Sequence, residues 1–210
     1  MPTPADDDRE TIAWPFWMLR FVATDDPDAF SDLIWSVGGS PPYGGVSYDE
    51  GAAVYELLES YRGAGEATPE AYDAVRAHIA DNVERQDALE IFRLNDRIVS
   101  RPSALDGDAI ARGSELATRI GHDGLRCLFR AYEAQRAHQS GEVGRARDLT
   151  IEALRIGLPV AATDNAYARR MAQLAQNAIA LTAMAGDRAG ALRLQAQLAD
   201  LLNPNLQNEE

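Results

Sequence analysis

Lysine is absent from this sequence, and all twenty basic residues are arginine. Together with abundant Ala and Asp, this fits a GC-rich coding sequence, with adaptation to salt as the alternative. Positive charge is also scarce overall. The net charge of −13 argues against nucleic acid, whose phosphates need clustered cations, and against anionic membrane surfaces. Cys127 is the single cysteine, which excludes an intrachain disulfide. It falls among Leu125, Leu128 and Phe129, a setting that predicts a small buried thiol rather than a reactive one. Long apolar runs are missing too. The most apolar stretch, Ile12–Ala23, is too short to span a bilayer, and three aspartates precede it where a signal peptide carries basic residues. The expected compartment is therefore the cytoplasm. No sustained period-two run of β-branched residues occurs, so the predicted fold class is all-α.

What is present divides into an acidic front and a helical remainder. Residues 1–60 hold twelve acids against Arg9 and Arg20, whereas residues 123–170 hold eight arginines against six acids. An N-terminal segment is expected over 1–62, a helical-repeat domain over 68–204 and a tail over 205–210. Met1 to about Asp8 reads as disordered. Trp14-Pro15 opens an aromatic helix, since Pro is best tolerated in a first turn. Trp14, Trp17, Met18 and Phe21 form its apolar stripe; sealing the end of the core is the favoured role, over an exposed partner patch. Asp26 caps a second helix that Gly38-Gly39 stops. Residues 38–46, GGSPPYGGV, form a loop, and Ser47 to Glu50 matches a capping box. From Pro69 to Ser100 the pattern is either one kinked helix or two, and the lack of Gly or Pro favours one. Helices follow at about 104–120, 123–139, 142–156, 164–185 and 188–202, eight to nine in all.

Ser140–Pro159 and Ala185–Pro204 share a plan at a spacing of 45 residues. Gly141 matches Gly186, Ala146 matches Ala191, Leu149 matches Leu194 and Pro159 matches Pro204. Ala134, the Gly141-Glu142 turn, Ala146, Ala153 and Pro159 give a layout that resembles the tetratricopeptide repeat family. The period here is longer than the family's, and Ile179 and Leu198 stand where small residues are usual. The resemblance covers roughly 123–204. It implies a right-handed superhelix of stacked hairpins whose first helices line a concave groove for peptides or protein segments.

Candidate chemistry is sparse. His78, His122 and His138 lack partners at metal-ligand spacing; His122 reads as a helix cap and His138 as a dipole partner. Asp25, Asp26 and Asp28 have no second acidic set, so no metal site and no cofactor are implied. The 38–46 loop lacks the Lys and Ser/Thr of a phosphate loop, leaving Tyr43 and Tyr48 as contacts if it recognises anything. The informative polar set is Arg126, Arg130, Arg170, Gln173 and Asn177, at spacings of three and four on two helices. Asn177 is a poor mid-helix residue, and arginine forks with amides suit the backbone and carboxylates of an acidic peptide. The expected function is a non-catalytic scaffold or adaptor binding a protein or peptide partner. The alternative is a helical ligand sensor or small-molecule-binding enzyme with its pocket near the N-terminal aromatic helices.

Overall fold

The structure is a computed structural model, described here for residues 14–38, 46–79 and 81–199. The expectations concerning Asp6–Asp8, Tyr43 and Pro204 fall outside these residues. Within them the chain is all-helical, with ten α-helices rather than eight or nine, and no strand. It divides into two compact units between Ile120 and Gly121. Gly63–Ala67, expected to join two domains, lies inside the first unit, where it ends the third helix and begins the link to the fourth.

The first unit contains α1 (Trp14–Thr24), α2 (Pro27–Gly38), α3 (Tyr48–Ala64), α4 (Pro69–Ile79), α5 (Val83–Val99) and α6 (Gly107–Ile120). Ten of the eleven residues of α1 are buried, as a helix apolar on nearly every side requires. Trp14 and Trp17 are buried in the core, so they form no exposed partner patch. Phe21, Phe30, Tyr61, Tyr72 and Phe92 continue the core as a chain of tilted and edge-on ring contacts.

Two carboxylates are buried in this unit, and they are satisfied differently. Ser47 caps α3 by accepting the Glu50 N–H at 3.2 Å, the first half of a capping box. The second half is replaced. Glu50 accepts from the Trp14 indole N–H at 2.8 Å and from Arg85 at 2.7 Å, tying α1, α3 and α5 together. Asp96 accepts the Tyr72 hydroxyl at 2.7 Å and the Ala67 N–H at 3.0 Å on one oxygen, while its other oxygen is buried without a partner. Burial therefore pushes its carboxyl above the ordinary range, against the pull of those two hydrogen bonds.

The region 69–100 forms two helices instead of the single one favoured by the sequence. Asn82 takes an extended conformation, and its side chain accepts the Arg85 N–H at 3.1 Å, which starts α5 afresh.

The second unit contains α7 (Asp123–Gln139), α8 (Val143–Ala161), a 3-10 turn (Asn165–Tyr167), α9 (Ala168–Met184) and α10 (Arg188–Gln197). His122 caps α7 as expected, its Nδ1 accepting the Leu125 N–H at 3.2 Å. The turns after α7 and α9 are built alike. Gly141 and Gly186 take the left-handed conformation at φ 78° and 88°. The next N–H of each, on Glu142 and Asp187, reaches back to Ala137 and Thr182 at 2.9 and 3.2 Å. Pro159 does not end α8, which runs on to Ala161. The carbonyl it leaves without a helical donor belongs to Arg155, an exposed residue.

The helices of this unit approach closely at small residues. Ala146, Ala153, Ala175 and Ala178 are fully buried. A Cβ on Gly157 would lie 2.5 Å from Met171 Sδ and 2.8 Å from Cys127 Sγ, and one on Gly124 would lie 2.4 Å from the Tyr167 ring. The ring has nowhere to go, because Tyr167 is itself buried.

Gly124→Ala is expected to destabilise the protein by about 1–3 kcal/mol through overpacking. Gly144→Ala, with nothing within 4 Å, is expected to be neutral or stabilising by up to about 1 kcal/mol. Denaturant titration of both reads the contrast, and equal effects would rule out the Tyr167 contact as the cause. The raised Asp96 carboxyl makes stability depend on pH. Its folded value lies above the unfolded one, so the cost of the ionised form is absent below about pH 4 and complete above the raised value. Asp96→Asn should therefore gain melting temperature on the wild type as pH rises from about 4 to about 7; a constant difference would refute this.

Candidate functional site

Between α7, α8 and α9 of the second unit lies a groove of about 560 Å³. Its α7 wall is Leu128, Ala131, Tyr132, Gln135 and His138, and its α9 wall is Arg170, Gln173, Leu174, Asn177, Leu181 and Met184. Both sets repeat at three and four residues, so each is a single stripe of its helix. Thr150 of α8 also lines the groove, its hydroxyl turned back to the Ala146 carbonyl at 2.8 Å.

Three of the five polar residues singled out from the sequence come together here: Arg170, Gln173 and Asn177. Gln173 Nε2 donates to Asn177 Oδ1 at 3.2 Å, leaving the Gln173 carbonyl oxygen and the Asn177 N–H groups for another molecule. Arg170 is half-buried, and its Nη1 is buried without a hydrogen-bond partner. Leaving such a donor unsatisfied costs on the order of 1–3 kcal/mol, more when the group is charged.

Arg126 and Arg130 do not line the groove. Arg126 is exposed and pairs with Asp123 at 2.6 Å. Arg130 pairs with Glu133 on its own helix and with Glu152 of α8 at 3.2 Å. Tyr48 belongs to the first unit, 73% exposed at the start of α3.

Sequence reasoning did not assign Tyr132, Gln135, His138 or Met184 to this site. The Tyr132 ring meets Phe129 edge-on at 6.0 Å. Met184 stands 60% exposed at the rim, a large apolar side chain held in water. The available signal was the register 128, 131/132, 135, 138 on α7, which faces the register 170, 173/174, 177, 181 on α9.

Cys127 lies under the α9 wall, in one apolar cluster with Ala153, Leu154, Met171 and Leu174. Burial pushes its thiol up to about 11, although the Arg170 charge pulls the other way. Among the described residues no three His, Cys, Asp or Glu side chains gather as a metal site would require. No described helix is long and apolar enough to cross a membrane.

Near pH 8 the folded thiol should carry roughly 100-fold less thiolate than an ordinary cysteine, so alkylation is expected to proceed only through unfolding. Alkylation rates measured with and without denaturant check this, and native labelling at the free-cysteine rate would contradict it. In comparisons with known proteins, no family model, curated protein or solved structure matches this chain.

Proposed function

We propose that this protein is a non-catalytic scaffold that holds a protein or peptide segment in the groove between α7 and α9. The observation that carries the reading is Arg170 Nη1, a buried cationic donor with no acceptor, at the edge of an apolar groove. A guanidinium in that state favours a carboxylate or carbonyl oxygen arriving from outside, because the incoming acceptor removes a cost already present in the free protein. The Gln173–Asn177 pair presents one carbonyl oxygen and spare N–H donors, the complement of a backbone amide. Leu128, Leu174, Leu181 and exposed Met184 offer apolar contact on either side. The fitting ligand is an extended segment with one acidic and one or two apolar side chains.

A tetratricopeptide-like stack is the proposed scaffold for this groove. The matching turns at Gly141 and Gly186, and the buried Ala134, Ala146 and Ala153, support that reading. In such a stack α7 and α9 are the first helices of successive hairpins, the pair expected to line the binding side.

Selection from a displayed peptide library on the intact protein is expected to enrich sequences pairing Asp or Glu with Leu, Met or an aromatic. Arg170→Ala should weaken a selected peptide about 10- to 100-fold, from the roughly 1.5–3 kcal/mol of a charge-assisted hydrogen bond. Asn177→Ala should weaken it less, and Arg126→Ala should leave it unchanged. Equal affinity of Arg170→Ala and wild type, with melting curves intact, would reject this groove as the binding site.

A further inference from the structure

The first unit contains a second groove, of about 660 Å³, that runs along α5 between α4 and α6. Its floor is the buried side chains Ile79, Leu89, Leu94 and Ala109. Its walls carry four guanidiniums, Arg76 from the last turn of α4, Arg93 and Arg97 from α5, and Arg112 from α6. Glu90 and Asp108 also line it, and Asp73, Asp106 and Glu115 pair with the wall arginines from outside the lining, so the groove carries no net positive charge. What sets it apart is that four guanidiniums line one space.

The four guanidiniums are held in two different ways. Arg76 pairs with Asp73 at 3.1 Å, Arg97 pairs with Asp106, and Arg112 pairs with Glu90 at 2.9 Å and Glu115 at 3.3 Å. These pairs fix the positions of three cations while using few of the five N–H donors each possesses. Arg93 is different. It is half-buried and has no carboxylate partner among the described residues. It lies over the Tyr72 ring, 5.7 Å from the centroid. Asp96, three residues along and the natural partner, spends its oxygen on Tyr72 and Ala67. A cation held by a ring face keeps its N–H groups free for an oxyanion.

We propose that the α4–α5–α6 groove is a binding site for a small organic anion carrying at least two negative charges, a phosphate ester or a polycarboxylate. Arg93 is the central ligand, and Arg76, Arg97 and Arg112 surround it. The volume suits a small molecule, within the roughly 300–1,000 Å³ usual for such sites. The site is separate from the α7–α9 groove and stands or falls independently of it.

Calorimetric titration of the full chain with pyrophosphate and with citrate, at low ionic strength, tests the proposal. Saturable binding of at least one is expected, weakening as salt is added and about tenfold weaker in Arg93→Gln. Arg155→Gln, an exposed α8 arginine outside the groove, should bind as the wild type does. Preference for pyrophosphate assigns a phosphate ligand, and preference for citrate a polycarboxylate. Arg76→Gln removes an exposed ion pair only, so it carries the same comparison should Arg93→Gln melt early. No saturable binding of either anion at millimolar concentration overturns the proposal, as does binding that neither substitution weakens.

Discussion

The second unit depends on how closely α8 can approach its neighbours. Gly157 lets Met171 and Cys127 meet across a gap that a single methyl group would close, and Gly124 does the same for the Tyr167 ring. With Ala153, Ala175 and Ala178 also buried at these contacts, α9 seats against α8 backbone-near. Interiors are packed densely enough that such contacts transmit position rather than absorb it. The register of α9 follows from them. Once Met171, Leu174, Ala175 and Ala178 face the core, the stripe of Arg170, Gln173 and Asn177 must border the groove with α7. Small residues that bind nothing thus decide which polar residues are presented.

The first unit rests on charge as well as on rings. Glu50 is a buried carboxylate with two strong donors, Trp14 and Arg85, from two other helices. Removing one member of such a set leaves an uncompensated buried charge, which typically costs about 3–5 kcal/mol. Asp96 solves burial the other way, with two donors on one oxygen, none on the other, and a proton held more readily. The second arrangement has a consequence within a turn of the same helix. Because Asp96 faces Tyr72 and Ala67, Arg93 loses its intrahelical partner and settles on the Tyr72 ring.

Much of the fold was legible because helix ends are local chemistry. Asp26, Ser47 and His122 each accept an N–H two or three residues ahead, and their identities suffice to place a cap. Asn82 was missed because an asparagine within an apolar period reads as a weak helix residue until its backbone is seen extended. Helix α8 was expected to end at residue 156, because a proline ordinarily breaks a helix, yet it carries Pro159 in its last turn. The site was legible in the same measure. Arg126 and Arg130 have acids three residues away, Asp123 and Glu133, and the structure pairs them there. Arg170 has Ala166, Tyr167, Gln173 and Leu174 at those spacings, so its lack of a local partner could be read directly. Arg93 could not be read in this way. Glu90 and Asp96 stand at the right spacing, and only the tertiary structure assigns them to Arg112 and to Tyr72.

Acids outnumber bases in this chain by 33 to 20, so for an arginine a carboxylate partner is the easily met condition. Among the described residues Arg101, Arg136, Arg155, Arg169, Arg188 and Arg193 lack one too, but they are exposed, where water substitutes at little cost. Arg93 and Arg170 are half-buried and still have none. Partial burial removes water without supplying an acceptor, and a composition so rich in carboxylates makes that outcome hard to assign to shortage. In both cases the surroundings hold the guanidinium in place by other means, the Tyr72 ring for Arg93 and the packed α9 register for Arg170. A cation kept in position and kept unpaired raises the free energy of the unliganded protein, and an arriving anion recovers it as affinity. Arg93 in the first unit and Arg170 in the second each line a groove.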